Sequence, residues 1–536
     1  MLLTPIILFV ILMILLYVPP VQNFIRKQAT AIASDATGMN ISVERIDLRF
    51  PLNLLVRGVQ VVQPGSDTTD IQHPDTLLNL GSLNVRVQAW PLLKGRVEVD
   101  DITLQRVAVN SSGLLEGMRI KGTLGRFFLA SHGIDLNKED AVLNRVELSD
   151  THVQVMLADT TETPEDTTET ALNWRVALHN LKLKNVSVDL QMPLDSMSLA
   201  ATIGDASIED AEADLKRQFY GWRKFALMGT SVNYDTGTAV PAEGFDASHI
   251  ALRDIRIGID SVMTCGRDMN AVIREFSMYD RSGLTVTSLT GRLFADSAVI
   301  RVPYLQLKTP HSEMNLTAQT YWKLVDIPTT GQLSARFNAN IGKQDVLLFA
   351  GGLPETFKEA YPFRPLVIHA GTEGNLKQMQ ISRFMAELPG AFSLSGGGEL
   401  WNLTDSLKRS GGLDFEMQTQ DLNFLTGLTG VTPDGSIVVP DSMNLVARLG
   451  LDGPQCNALL KVQEGKGNLN LDAAYNLSTE VYHADLAIDA LQLHHFLPKD
   501  SVYALTAHVA AKGRGVDMTS RQTTALVEAK LDELQY

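Results

Sequence analysis

The stretch whose reading decides the fold is Leu181-Lys182-Leu183-Lys184-Asn185-Val186-Ser187-Val188. Its apolar residues stand at positions 1, 3, 6 and 8 of the octet. The same spacing occurs at Ile102-x-Leu104-x-x-Val107-x-Val109, and in weaker form at Val146-x-Leu148-x-x-Thr151-x-Val153. Alternation with period 2 is the signature of a strand with one apolar face. In each copy the alternation slips by one residue at a polar pair: Lys184-Asn185, Gln105-Arg106 or Ser149-Asp150. A one-residue slip sends the later side chains to the opposite face unless the strand bulges or bends there. The spacing therefore predicts strands that are bent at the polar pair. The copies are unevenly spaced along the chain, which excludes a short-period solenoid.

Outward from these copies the same style continues. Leu83, Val85 and Val87 alternate with polar residues, as do Ile41, Val43, Ile46 and Leu48. Further extended segments fill residues 172–340. Helix-like stretches are few: 344–363, 421–428 and 491–498. The run FSLSGGGELWNL, with Gly396-Gly397-Gly398, reads as a hairpin turn rather than a phosphate cradle, because no strand-to-helix context surrounds it. Residues 64–76 read as a loop, and 159–170 (TTETPEDTTET and neighbours) as an acidic, Thr-rich one. At one strand per ~12 residues the body holds on the order of 40 strands, mostly consecutive antiparallel neighbours. A sheet of that size must curl or split.

The chain has 536 residues, too many for a single core, and a net charge of -15. That charge argues against nucleic-acid binding, which needs a basic footprint. Two cysteines, Cys265 and Cys456, are no disulfide framework and no metal-ligand spacing. Two apolar thiols are the first reading; a single long-range disulfide is the other. HExxH, GxSxG, Walker A and EF-hand motifs are absent, so no enzyme, metal or cofactor is expected. His494-His495 reads as a surface or helix-end pair. The acidic set Asp205, Glu209, Asp210, Glu212 and Asp214 reads as a solvated strand edge or loop.

The N-terminus has a different pattern. MLLTPIILFVILMILLYV (1–18) carries no charge and reads as a transmembrane helix, with Ile6, Leu8, Phe9, Ile11, Leu12, Leu15 and Leu16 as its lipid-facing anchor. A cleaved signal peptide competes, but its apolar region runs to about 7–15 residues and ends in a small-residue site. Pro19-Pro20 breaks the run. Val21, Phe24, Ile25, Ala29, Ile32, Ala33 and Ala36 then fall at helical spacing, with Gly38 as a stop. Arg26 and Lys27 follow the apolar run and no basic residue precedes it. The expectation is therefore a true start upstream, with a basic segment.

The apolar alternation admits two readings. The residues pack one sheet on another, or they line an open groove for acyl chains. A groove has an energetic use: an acyl chain of ~15 methylenes costs on the order of 12 kcal/mol to expose to water.

The N-terminal stretch resembles the TamB proteins of the wider AsmA-like group, Bacteroidetes forms especially. The matching residues are Val18-Pro19-Pro20-Val21-Gln22, Thr37-Gly38, Ile41-Ser42-Val43-Glu44-Arg45-Ile46, Phe50-Pro51-Leu52, Asp75-Thr76-Leu77-Leu78 and LGSLNVRVQAWPLLKGRVEVDDITLQRV. The resemblance is specific over 1–110. It implies an N-terminal transmembrane helix and an elongated, curled antiparallel β-groove. It implies a single-pass inner-membrane protein with its body in the periplasm of a Gram-negative bacterium. It also implies phospholipid carriage between inner and outer membranes, with membrane phospholipids and an Omp85-type barrel as partners. Family members are usually longer, and their characteristic C-terminal domain has no recognisable counterpart here. The organisation expected is 1–18 membrane helix, 19–38 amphipathic helix, 39–157 first groove region, 158–171 acidic loop, and groove continuations over 172–340 and 341–536. Candidate groove residues are Leu83, Val85, Val87, Ile102, Leu104, Val107, Val109, Leu181, Leu183, Val186 and Val188. The alternative function is an assembly factor that binds nascent outer-membrane proteins through exposed β edges.

Overall fold

A computed structural model of the protein describes residues 18–49, 52–63, 76–88, 99–111, 117–135, 138–157, 173–237, 239–429, 435–515 and 523–536. The chain divides into two compact units. The first comprises Met1–Pro241 with Asp246–Arg281, and the second Ala242–Phe245 with Ser282–Tyr536.

The first unit opens with α1 (Pro19–Thr37). Its prolines sit at the first helical positions, where a missing N–H costs least, and Gly38 closes it at φ 66°. The strands follow: β1 (Asn40–Arg49), β2 (Asn53–Val62), β3 (Thr76–Val87), β4 (Val99–Asn110), β5 (Met118–Asp135), β6 (Asp140–Leu157), β7 (Arg175–Met192), β8 (Met197–Asp214), β9 (Phe219–Thr236), β10 (His249–Cys265) and β11 (Asp268–Asp280). Each pairs with the next. All pairs are antiparallel except β6 with β7, which is parallel. This departs from the antiparallel expectation. A parallel pair needs a connection of about a dozen residues or more, and the Thr-rich stretch between Leu157 and Arg175 supplies that length. Strands β5 to β9 run to 18 residues each, well beyond the ~12-residue spacing assumed from the sequence. The strand count is correspondingly lower, at 26 among the described residues.

The second unit holds β12 (Thr285–Val286), β13 (Ser288–Ala295), β14 (Val299–Lys308), β15 (Glu313–Tyr321), β16 (Leu333–Ile341), β17 (Leu366–Asn375), β18 (Gln378–Leu388), β19 (Phe392–Trp401), β20 (Ser410–Thr419), β21 (Asn444–Asp452), β22 (Gln455–Glu464), β23 (Gly467–Asn476), β24 (Val481–Leu491), β25 (Ala504–Arg514) and β26 (Thr524–Gln535). From β13 onward every neighbouring pair is antiparallel. Short helices α2 (Trp322–Asp326), α3 (Lys343–Leu348), α4 (Glu355–Ala360) and α5 (Leu493–Phe496), with a 3₁₀ turn at Asn423–Thr429, interrupt the strands. Phe357, Tyr361, Leu388, Ala391, Leu422, Phe424 and Met443 form a closed core where α4 and the 3₁₀ turn meet the strand ends. Its rings contact edge-on, as Tyr361 and Phe424 do at 5.5 Å.

Gly396-Gly397-Gly398 is not a hairpin turn. It lies inside β19, paired with β18 and β20. The reason is packing: Phe384 and Phe415 flank Gly396, with ring centroids 6.2 Å apart, and a Cβ on Gly396 would lie 2.3 Å from the Phe415 ring.

The expected N-terminal transmembrane helix, and with it a single-pass inner-membrane location with a periplasmic body, is corrected. Among the described residues no helix is long and apolar enough to cross a membrane. The longest, α1, carries Gln22, Asn23, Arg26, Lys27, Gln28 and Asp35, and charges in the hydrocarbon interior are costly. The proposed anchor residues Ile6, Leu8, Phe9, Ile11, Leu12, Leu15 and Leu16 lie outside the described residues.

Candidate functional site

The candidate site is the apolar face of the first unit, assembled strand by strand. Cross-strand partners share a face. Leu48, Leu54, Val85, Ile102, Leu129, Val146, Leu181, Ile208 and Phe225 are successive partners from β1 to β9. Two residues along each strand, a second row runs Ile46, Val56, Leu83, Leu104, Phe127, Leu148, Leu183, Ala206 and Leu227. Beyond the polar pair a third row takes Val43, Val59, Leu80, Val107, Leu124, Thr151, Val186 and Ile203. A fourth takes Ile41, Val61, Leu78, Val109, Gly122, Val153, Val188 and Ala201. Ten of the eleven predicted lining residues thus fall into these four rows. Val87, the eleventh, lies one step further along β3, opposite Val99.

The seam between the second and third rows is where the sequence predicted bends. Arg106, Asp150 and Asn185 all adopt left-handed backbone, at φ 54°, 51° and 52°. Gly58 and Gly229 do the same on β2 and β9. The intervening strands place Gly81 opposite Arg106 and Gly125 opposite Arg106 and Asp150. A Cβ on Gly125 would lie 2.7 Å from that of Asp150. At the seam each strand spends two residues on the polar side and none on the apolar side. Both side chains at the seam fall on the polar side, and the strands bend there.

Six residues away along β7, β8 and β9 a second irregularity crosses the sheet at His179, Asp210 and Arg223, with Asp210 left-handed at φ 49°. Arg223 Nε donates to Asp210 at 2.8 Å and its terminal nitrogen to Glu209 at 2.7 Å. The Arg223 guanidinium, then His179, holds the Asp210 carboxyl below the usual range. The acidic set therefore lies on a strand in mid-sheet, not on an edge or loop, and Glu209, Asp210 and Glu212 of it are ion-paired. No group of three or more metal-ligating residues occurs among the described residues.

The polar face differs from the apolar one in kind. Arg86 faces Asp101 at 3.3 Å and Arg175 reaches Glu212 at 3.0 Å. Lys182, Lys184 and Arg106 are exposed. On the apolar face most row residues are half-buried. Val186 and Ala206 are buried, while Val109 and Val188 stay 41% and 40% exposed. α1 lies along β1, where Gln22 and Arg26 donate to the Leu48, Val43 and Glu44 carbonyls. Its apolar Phe24 and Ile32 remain exposed.

Three copies of the spacing stand out in the sequence, and further strands carry it, β10 among them at Ile250-x-Leu252-x-x-Ile255-x-Ile257. Other examples missed by the sequence reading are Leu54-x-Val56-x-x-Val59-x-Val61 on β2 and Leu124-x-x-Phe127-x-Leu129 on β5. The signal was available. The spacing reads the same in both directions, so antiparallel neighbours carry it unchanged.

The second unit has a row of the same kind. From Leu305 it passes through Leu316, Phe337, Ala370, Phe384, Gly396, Phe415, Ala447, Leu460, Leu471, Leu486 and Val509 to Ala529. Cys265 and Cys456 are both free thiols. His495 Nδ1 lies 2.5 Å from the Glu464 carboxylate, and the His494 ring lies 4.1 Å from that of His495, tilted by 57°.

What the geometry defines is a class: a β-sheet protein with one aliphatic and one ion-paired face. No family model matches the chain, and no curated protein matches it.

Proposed function

We propose that the chain is a lipid carrier of the TamB/AsmA-like type, holding phospholipid acyl chains against its apolar sheet face while headgroups stay in water. In this reading the lipid moves between two membranes, the inner and outer membranes in the setting the resemblance implies. The observation that carries the reading is the set of four aliphatic rows crossing β1 to β8 with their side chains half-buried. Eight strands at about 4.8 Å spacing make a strip roughly 34 Å long, longer than one leaflet's share of a ~30 Å hydrocarbon core. An acyl chain laid along it recovers most of the ~0.8 kcal/mol per CH₂ that water exposure costs. No covalent step is needed.

The test is lipid extraction from the purified chain, followed by mass spectrometry. Diacyl phospholipid is expected at roughly one or more per chain, and a triple variant with Asp at Val85, Leu104 and Val186 is expected to lose it. A lipid-free protein, or unchanged lipid in that variant, overturns the reading.

A further inference from the structure

Several arginines on the polar faces of this protein pair with a carboxylate on the neighbouring strand. Arg86 and Asp101, and Arg448 and Asp414, are ladder partners, at 3.3 and 2.6 Å, and Arg175 reaches Glu212, diagonal to it across the β7–β8 ladder, at 3.0 Å. Such cross-strand charge pairs are the ordinary way a polar sheet face is stabilised. Arg301 on β14 and Arg336 on β16 make no such ion pair among the described residues. Their ladder partners on β15 are the neutral Gln319 and Thr317.

These four residues and Ser334 line a single cleft. The cleft exists because the β14–β15 ladder opens there. Register shifts between Val302 and Leu305, so Pro303 and Tyr304 together face Thr317. Pro303 has no N–H to donate across the gap. The polar lining is a set of donors. Arg301 Nε donates to Gln319 Oε1 at 3.3 Å, which fixes the amide and leaves its NH₂ group free to donate. The Thr317 and Ser334 hydroxyls can donate, and the guanidiniums can do nothing else.

Of the acids nearby, Asp296 acts on Arg301 through space but does not line the cleft and makes its hydrogen bonds elsewhere. The Asp296 carboxylate accepts from the Ala298 and Val299 backbone at 2.8 and 2.9 Å. Glu373 lies across from Ser334 but makes no ion pair with either arginine. No carboxylate lines the cleft, in a chain whose net charge is -15. By contrast, a cleft on the first unit's polar face with Arg119 and Lys121 includes Asp189.

We propose that the cleft of Arg301, Thr317, Gln319, Ser334 and Arg336 binds a phosphate-type oxyanion. Two guanidiniums match a dianion in charge, and their forked N–H groups match its oxygens in geometry. The site stands on the polar face and does not depend on the acyl-chain reading.

The test is calorimetric titration of the full chain with inorganic phosphate at low salt. Saturable binding at one site is expected. Arg301→Gln and Arg336→Gln should each weaken it roughly tenfold, the loss expected for one charge-assisted contact. Arg448→Gln, whose partner is Asp414, should leave it unchanged, and the β-type circular dichroism of every variant checks folding. Competition by phosphatidate vesicles would assign the phosphate to a lipid headgroup, and its absence to a free phosphate; both keep the site. No saturable binding by the unaltered chain, or full affinity in the double Arg→Gln variant, overturns it.

Discussion

Leu183 and Leu388 are both strand leucines, one in each unit, yet they live in different environments. Leu388 is 1% exposed, in a core closed by α4, the 3₁₀ turn and their aromatic rings. Leu183 sits in an apolar row and stays half-buried. The second unit has helices that cap its strand ends and build a core there. In the first unit the described helix, α1, lies along β1, and the long strands instead bend at a shared seam. The contrast teaches that an alternating strand pattern sets the face of a side chain but not its cover. Cover comes from elements that break the alternation.

Substitutions can break or sharpen this contrast. The largest effect belongs to the closed core: Leu388→Ala should cost about 2–5 kcal/mol in chemical denaturation, because transfer and cavity terms add there. Next comes the seam. Gly125→Val puts a side chain where Asp150 already stands, and overpacking of that kind costs about 1–3 kcal/mol. Leu183→Ala should cost less than Leu388→Ala, about 1 kcal/mol, since part of its surface is already wet. Equal losses for the two leucines would mean the first unit's face is closed after all. Smaller still, Arg106→Asn should stabilise by roughly 0.5 kcal/mol, because Asn tolerates left-handed backbone better than Arg.

The second irregularity offers a check by titration rather than by unfolding. Proton titration followed by NMR should place the Asp210 carboxyl below its ordinary 3.8, and Arg223→Gln should bring it back up. A depressed carboxyl stabilises the fold above its unfolded value, and that contribution fades as pH falls through the folded value.

Much of this was legible in the sequence, for a physical reason. The period-2 pattern is a direct record of one buried face, and the slip at Lys184-Asn185 is a direct record of a bend. Both are local. The reversal at β6 and β7 was harder to see, since strand direction leaves no mark in the alternation. The three glycines of β19, Gly396-Gly397-Gly398, misled for a related reason. Glycine marks a turn by its backbone freedom, but Gly396 is there because Phe384 and Phe415 fill its side-chain space. Only the pairing partners reveal that. The opposite case is the second irregularity: the spacing from Leu178 to Leu181 is a visible slip, at His179-Asn180, and it had the same form as the slip that was read.

The central claim is that acyl chains occupy the apolar face and not the polar one. Photo-crosslinking residues placed singly at Leu183 and at Lys182 test it most directly, because the two are adjacent in sequence and point to opposite faces. With a phospholipid present, the account predicts a lipid adduct from position 183 and none from 182. Equal adducts from both positions, or none from 183, would contradict it.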